Sequence, residues 1–188
     1  MERIQICGGS GSGKTTLARL LSSRQGIPFI DLDELYWEPG WQEAPKAVFS
    51  ARVRSAIDAP RWVLAGNYLD VTAALAWPRL TTLIVLDLPL PLMLWRSFRR
   101  TLARGLSGSP CCNGNTESLL RLFHRDGVLR YLVRTWRARR KRYRQFGTLA
   151  ELRHVRVVHL TRAGEVAAFV AGLSETAPST GNARTLLQ

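Results

Sequence analysis

Short apolar runs alternate with amphipathic segments along the chain, and this alternation predicts its strands and helices. Helices are predicted where apolar residues recur at intervals of three and four, as Leu17, Leu20 and Leu21 do. They cover 15–24, 45–59, a segment that starts near 91, then 116–145, which Gly127 could divide, and 163–173. Strands are predicted at the apolar runs 3–7, 62–65, 82–86 and 155–160, and at 29–33, where Phe29 and Ile30 start a strand that ends in DLD.

This order of elements predicts an α/β protein. Strands that alternate with helices favour a five-stranded parallel sheet covered by helices on both faces. Ligands of such sheets bind at the carboxyl ends of the strands. Candidate chemistry follows the predicted strand ends, at Gly8, Asp31, Asp33, Gly66 and Asp87.

A glycine-rich loop follows the first predicted strand and fits the P-loop pattern G-x-x-x-x-G-K-[ST] without a mismatch. Its backbone N–H groups would surround phosphate oxygens, Lys14 would reach the outer phosphates, and the Thr15 hydroxyl would ligate Mg²⁺. A plain Gly-Ser turn would leave Lys14 and Thr15 unexplained. The residues predicted to bind ATP are Gly8, Gly9, Ser10, Gly11, Ser12, Gly13, Lys14, Thr15 and Thr16.

The rest of the chain narrows the class of nucleotide-binding protein. No N-K-x-D guanine motif follows the loop, and 188 residues are few for an oligomeric ATPase with sensor elements. The sequence therefore favours a small kinase.

The charge of the chain indicates a class of binding partner, and its hydropathy indicates a location in the cell. The chain has 27 basic and 14 acidic residues, and all but three of the basic residues are arginine. This excess indicates a polyanionic partner or a general preference for arginine. The longest apolar stretch, 83–95, is interrupted by Asp87, Pro89 and Pro91, and no secretory signal is present, so a cytoplasmic protein without membrane contact is predicted. Cys7 is expected to be buried, and Cys111 and Cys112 leave a redox pair open.

The chain resembles the nucleoside-monophosphate-kinase and shikimate-kinase-like branch of P-loop proteins over roughly residues 2–172. It resembles more closely the adenylate-kinase-related proteins labelled DNA topology modulation proteins. The motifs that carry the resemblance are the P-loop, DLD at 31–33, LYWEPGW at 35–41, WVLAGNY at 62–68, LDLP at 86–89 and NGNTE at 113–117.

The resemblance implies a three-layer α/β/α P-loop fold with a helical lid, and ATP and Mg²⁺ as cofactors. By comparison with shikimate kinases, Asp31 would support Mg²⁺ together with Thr15, and Asp33 would orient or deprotonate an acceptor hydroxyl. Alternatively, the pair is a strand-end turn in which Asp33 caps the next segment. The family usually has a further aspartate where this chain has Ala65.

Two segments are candidates to close over the substrates. The acceptor-side segment 34–59 carries Tyr36, Trp37 and Trp41, which could stack on a ring or simply pack on the sheet. Asn67 and Tyr68, after the third strand, could hydrogen-bond the acceptor.

The predicted lid covers 96–125 and contains a mobile loop at 103–115. Arg96, Arg100 and Arg104 share one helical face, which is either solvated or closes on ATP. The catalytic candidates are therefore Lys14, Asp33, Arg96 and Arg100, and by resemblance Arg162 contacts adenine.

The last candidate surface is the arginine-rich segment 130–144. Arg130, Arg134, Arg137 and Lys141 make one basic stripe at helical spacing. It could follow a nucleic-acid backbone, or its first part could meet nucleotide phosphates under the lid.

The sequence thus predicts one kinase domain over 1–174, followed by a disordered tail at 175–188. We expect it to transfer the γ-phosphoryl group of ATP to a small-molecule acceptor. The acceptor could be a nucleoside monophosphate, a sugar or a hydroxy acid. A nucleic-acid-associated ATPase and an ATP-binding regulator of DNA topology are the alternatives, and the oligomeric state is left open.

Overall fold

The computed structural model describes residues 1–117 and 127–175. Its strands are β1 (Arg3–Gly8), β2 (Phe29–Asp31), β3 (Trp37–Glu38), β4 (Gln42–Glu43), β5 (Trp62–Ala65), β6 (Thr82–Leu86), β7 (Pro110–Cys111), β8 (Asn115–Thr116) and β9 (Arg156–Leu160). Its helices are α1 (Lys14–Gln25), α2 (Leu32–Tyr36), α3 (Lys46–Ala56), α4 (Leu69–Leu75), α5 (Leu90–Ser107), α6 (Val128–Gln145) and α7 (Ala163–Glu175).

A parallel sheet with the strand order β2-β5-β1-β6-β9 forms the centre of the molecule. It confirms the predicted five strands and the α/β class. The strands are apolar almost throughout because helices cover both faces. Ile4 and Ile6 of β1 belong to an apolar cluster with Leu17 and Leu21 of α1, whereas Cys7 belongs to the cluster on the opposite face.

One buried polar side chain joins the centre of the sheet to the helical layer. The Gln5 carboxamide is fully buried; its Nε2 donates to Thr72 Oγ1 at 3.0 Å, and its Oε1 accepts from Trp77 Nε1 at 3.1 Å. Both polar atoms of the carboxamide are therefore satisfied, as burial requires. The pair of bonds fixes α4 and the turn after it against β1.

The two longest helices of the described residues, α5 and α6, pack against each other. Helices α5 and α6 have 18 residues each, and neither contains an acidic residue. No helix in the described ranges is long and apolar enough to cross a membrane.

The structure corrects several predicted boundaries. Helix α5 extends into the expected loop at 103–115 and ends at Gly108, whose φ of 61° suits glycine. Residues 115–116 form β8 rather than the start of a helix. Asp33 lies in the first turn of α2 rather than at a strand end, and α4 was not predicted. Residues 118–125 of the predicted lid and 176–188 of the predicted tail lie outside the described residues.

We predict that Trp77→Phe destabilises the protein by about 1–3 kcal/mol, because it leaves the buried Gln5 Oε1 without a donor. The free energy of unfolding from a denaturant titration measures the effect. Trp95→Phe is the matched control, since Trp95 is 57 % exposed. Equal stability of the two variants would contradict the assigned role of the Gln5 bonds.

Candidate active site

The loop between β1 and α1 is shaped by glycines that tolerate no side chain. Gly11 has a φ of 73°, and a Cβ there would lie 2.5 Å from the Met93 carbonyl oxygen. A Cβ at Gly8 would lie 2.5 Å from Ser12 Oγ. Gly11 is therefore required both for its backbone conformation and for its close approach to α5, whereas Gly8 is required for the close approach of Ser12 and of the Leu86 carbonyl in β6.

Lys14 is the cation of the loop. Its Nζ donates to the Gly9 carbonyl at 3.1 Å. Burial lowers the pKa of Lys14, and the nearby Asp33 and Asp31 carboxylates oppose that shift. The ammonium thus lies between the loop and the carboxylates at the end of β2, where it could bridge a bound phosphate.

Several polar atoms around the loop are buried without a partner among the described residues. They are Ser12 Oγ, Ser97 Oγ, Arg100 Nε and both terminal nitrogens of Arg139. Arg139 Nη1 lies 3.2 Å from the Cβ position of Gly9, and Ser97 Oγ lies 2.7 Å from that of Gly11. Buried polar atoms are costly when unpaired. Phosphate oxygens accept hydrogen bonds from hydroxyl and guanidinium groups, and these are the donors around this glycine loop.

Arg139 was not among the predicted site residues. Its guanidinium also lies 5.6 Å from the centre of the Tyr131 ring. In the sequence it is one of eight basic residues in α6, and spacing alone does not distinguish it from its exposed neighbours. Arg139 lies one helical turn before Tyr143 and two turns after Leu132, both of which are buried. This spacing could have placed Arg139 on the inner face of the helix.

The predicted lid arginines separate into two groups. Arg100 Nη2 donates to Ser10 Oγ at 3.0 Å and lies 3.7 Å from Glu117 Oε1, which also pairs with Arg104 at 2.8 Å. Arg100 is therefore brought to the loop. Arg96 is exposed and has no hydrogen bond or ion pair with the loop in the described parts of the chain. Its predicted phosphate contact stays a prediction.

The remaining predicted nucleotide contacts lie at helix starts. Thr15 is half-buried and Thr16 is exposed in the first turn of α1. Arg162 is exposed just before α7, and its backbone N–H donates to Glu165 at 3.2 Å. A contact of Arg162 with adenine also stays a prediction.

The site has a second side, away from the glycine loop. It is formed by the carboxylates of Asp31, at the end of β2, and Asp33, in the first turn of α2. Asp31 Oδ1 accepts the Asp33 N–H at 3.1 Å, so Asp31, not Asp33, caps the next helix. Tyr68 Oη donates to Asp33 Oδ1 at 2.7 Å. Burial, followed by the charge of Asp33, raises the pKa of Asp31 to about 6. Burial and Asp33 likewise raise the pKa of Tyr68, so the phenol remains a donor to Asp33.

The donor set fits a magnesium ion in combination with phosphates. Mg²⁺ is commonly held by one or two carboxylates, substrate phosphates and water, and P-loop proteins add the Thr or Ser hydroxyl of the loop. Thr15 and Asp31 are the residues predicted to supply that hydroxyl and that carboxylate, and these roles stay predictions. A cation beside Asp31 would also stabilise the ionised form that burial and Asp33 now disfavour.

The end of β5 joins both sides of the site. The Asn67 carboxamide accepts the Gly8 N–H at 2.9 Å and donates to the Gly8 carbonyl at 2.6 Å. Its Oδ1 also accepts from Tyr143 Oη of α6 at 2.9 Å. Asn67 therefore holds the loop rather than facing an acceptor as predicted, while Tyr68 beside it orients Asp33.

The aromatic side chains of the acceptor-side segment pack on one another. Tyr36 lies 4.6 Å from Tyr68 and 5.2 Å from Phe49 between ring centres, and Trp37 lies 5.6 Å from Trp41. These contacts favour the second of the two predicted roles, in which the aromatic side chains pack within the protein rather than stack on the ring of a ligand.

The β7–β8 hairpin holds this segment from outside. Asn113 Nδ2 donates to the carbonyls of Glu34 and Trp37, both at 2.7 Å. Asn115 Nδ2 donates to the Glu38 carbonyl, and its Oδ1 accepts the Trp41 N–H, both at 2.9 Å. The acceptor-side segment and the hairpin that follows α5 are thereby joined.

Comparisons with known proteins show what the chain is similar to in sequence and in fold. The shikimate kinase family model matches residues 10–55, which contain most of the loop and both carboxylates. A shikimate kinase from Acinetobacter baumannii, solved in complex with shikimate, is similar with a TM-score of 0.52 and 21 % identity over 96 % of each chain. A gluconokinase from Sinorhizobium meliloti 1021 is similar with a TM-score of 0.50 and 19 % identity, covering 94 % of this chain and 93 % of that one. No curated protein sequence matches the chain.

These findings define the class of protein. The chain has the three-layer fold of the small P-loop kinases, as predicted. They support the prediction of a kinase, whereas its acceptor stays a prediction.

We predict that Asn67→Ala weakens ATP binding and destabilises the protein, because it removes both bonds to Gly8 and the acceptor for Tyr143. The expected loss of stability is about 1–3 kcal/mol. Calorimetric titration with ATP and thermal unfolding measure the two effects. Asn113→Ala, which breaks contacts only with the acceptor-side segment, should leave the ATP affinity unchanged. Equal ATP affinities in Asn67→Ala and the wild type would contradict this role.

A second prediction concerns Asp31 and pH. Its raised pKa means that the folded protein keeps this proton to higher pH than the unfolded chain, so stability falls as pH rises from 3.8 to about 6. Asp31→Asn mimics the protonated form and should have the higher Tm above this range and an equal Tm below it. Thermal unfolding across this range measures the difference, with the exposed Asp58→Asn as control. A Tm difference that does not change with pH would contradict the assigned cause.

Proposed function

We propose that this protein is an ATP-dependent kinase that transfers the γ-phosphoryl group of ATP to a hydroxyl group of a small molecule. The observation that carries the proposal is the division of the site into two sides. Lys14, Arg100 and Arg139 surround the glycine loop, and Lys14 is near the carboxylates of Asp31, at the end of β2, and Asp33, in the first turn of α2. Cations on the phosphate side and a carboxylate on the acceptor side are what phosphoryl transfer to a hydroxyl requires.

On the phosphate side, the chain's own groups supply charge. The guanidinium nitrogens of Arg139, which have no hydrogen-bond partner within the described residues, and the Arg100 side chain would donate to the oxygens of the transferring group, where negative charge is spread in the transition state. The Asn67 bonds hold the first loop residue fixed, so little reorganisation is needed. Thr15 and Asp31 would hold magnesium, whose positive charge would offset the negative charge of the phosphates.

On the acceptor side, Asp33 is the candidate to orient and deprotonate the hydroxyl. One of its oxygens accepts from Tyr68, and the other has no hydrogen bond within the described residues. The proton of the acceptor hydroxyl would move to Asp33 as the new P–O bond forms and the bond to the leaving ADP oxygen breaks.

The charges near Asp33 favour a hydroxyl acceptor over a phosphate acceptor. Arg52, in the acceptor-side segment, is already held by Glu38 at 2.7 Å and by the Leu35 carbonyl at 3.0 Å. A phosphate beside two carboxylates would be repelled, so a sugar, polyol or hydroxy acid is favoured over a nucleoside monophosphate.

The experiment is phosphoryl transfer from γ-labelled ATP with Mg²⁺ against separate pools of sugars and polyols, hydroxy acids, nucleoside monophosphates and DNA. We expect label in a hydroxyl pool and none with Lys14→Ala. Asp33→Asn should lower kcat by about 10²–10⁴-fold while ATP still binds, because it removes the base but not the phosphate side. The exposed Asp58→Asn is the matched control.

Two results would contradict the proposal. Label released only as inorganic phosphate in every pool would indicate an ATPase. ATP binding without turnover in any pool would indicate a nucleotide-dependent regulator.

A further inference from the structure

Helix α6 carries more positive charge than the proposed active site uses. Its 18 residues include eight basic and no acidic side chains. Three of the eight have assigned positions: Arg139 lies at the glycine loop, Arg140 pairs with Asp87 at 3.3 Å, and Arg142 lies 3.6 Å from Asp70. Five cations remain.

The remaining five form one straight row, which we call the basic stripe. Its members are exposed and are not paired with any acidic side chain in the described residues. They recur at intervals of four, three, four and three residues, so they share one face of the helix and extend over about 21 Å. The members of the basic stripe are Arg130, Arg134, Arg137, Lys141 and Arg144.

This face points away from the active site. Leu132, Arg139 and Tyr143 lie on the inner side of α6, towards the sheet and the loop. Residues such as Arg134 and Lys141 are on the opposite side at helical spacing. The sequence left open whether these arginines meet nucleotide phosphates, and this orientation makes that role unavailable to the stripe.

The stripe is electrostatically costly when it is alone. Arg130 and Arg134, like Arg137 and Lys141, are like charges four residues apart, and such pairs destabilise a helix. A polyanion along the helix would convert that repulsion into attraction. The C-terminal half of α6 also forms a groove of about 410 Å³, lined by Trp136, Arg137, Arg140, Lys141, Arg144 and Gln145.

We propose that the basic stripe binds the phosphate backbone of nucleic acid without regard to sequence. A row of regularly spaced cations matches a linear array of phosphates. A lipid surface fits less well, because membrane-binding helices present large apolar residues to the bilayer, and the five stripe positions carry none. The exposed Trp95, Leu102 and Leu106 belong to α5, and the two exposed apolar residues of α6, Tyr131 and Val133, lie outside the stripe positions. This inference does not depend on the proposed kinase activity.

The test is fluorescence anisotropy of a labelled mixed-sequence DNA duplex with the full chain, over a series of KCl concentrations. Five phosphate contacts predict a slope of about −4.5 for the logarithm of the binding constant against the logarithm of salt concentration. The triple variant Arg134→Ala, Arg137→Ala, Lys141→Ala should lower the steepness by about 2.7, at about 0.9 per lost contact. A parallel titration uses vesicles of anionic phospholipid.

The matched control loses the same net charge elsewhere. Arg54→Ala, Arg153→Ala, Arg156→Ala changes three exposed arginines outside α6 and should keep the wild-type slope. Thermal unfolding and ATP titration confirm that both triple variants remain folded.

Three results would overturn the proposal. These are no DNA binding at the lowest salt concentration, an equal loss of slope in the two triple variants, and binding to vesicles but not to DNA. A less steep salt dependence of DNA binding only in the α6 triple variant, with the fold and the ATP affinity intact, would support the proposal.

Discussion

The bonds between the Asn67 carboxamide and Gly8 connect most parts of the site. Because Gly8 begins the glycine loop, fixing its N–H and carbonyl sets the direction in which the chain leaves β1. The third partner, Tyr143, places α6 against the same point and so sets the position of Arg139 one turn earlier. Tyr68, next in sequence, holds Asp33. A short turn after β5 therefore determines the relative positions of the loop, the inner arginine of α6 and the acceptor-side carboxylate.

The same arrangement explains why the site is poorly satisfied by the protein alone. Arg139 and two serine hydroxyls are buried at the loop without partners in the described residues, and Asp31 is buried beside Asp33. Each of these features opposes folding, and each would be relieved by an anion with its cation. The buried Gln5 differs, since both its polar atoms are satisfied within the fold. Five of the buried polar atoms without a partner in the described residues lie where a ligand is proposed, whereas others, such as Trp62 Nε1, lie in the scaffold.

The sequence predicted the features that depend on neighbouring residues. The glycine loop, the five strands and the DLD turn are encoded within short windows, and each lies near its predicted position. It did not predict features that depend on packing between distant segments. Arg139 looks like any other arginine of α6 until Tyr143 and Leu132 orient the helix, and Asn67 reaches Gly8 across 59 positions of sequence. The α5 boundary was missed because glycine and serine composition outweighed a helical pattern that continues through Leu102 and Leu106.

The position of Ala65 bears on how the site manages charge. In the sheet Ala65 is paired with Asp31, and partners in neighbouring strands project on the same face. An aspartate at position 65 would therefore stand beside Asp31, in a setting where burial and Asp33 already raise the pKa of Asp31 to about 6. A third carboxylate would disfavour ionisation of the others further. Ala65 is 1 % exposed and packs in the apolar cluster with α1. With alanine here, Asp31 is the one carboxylate on this face of the β2–β5 pair, and Ala65 contributes apolar packing beneath it rather than negative charge.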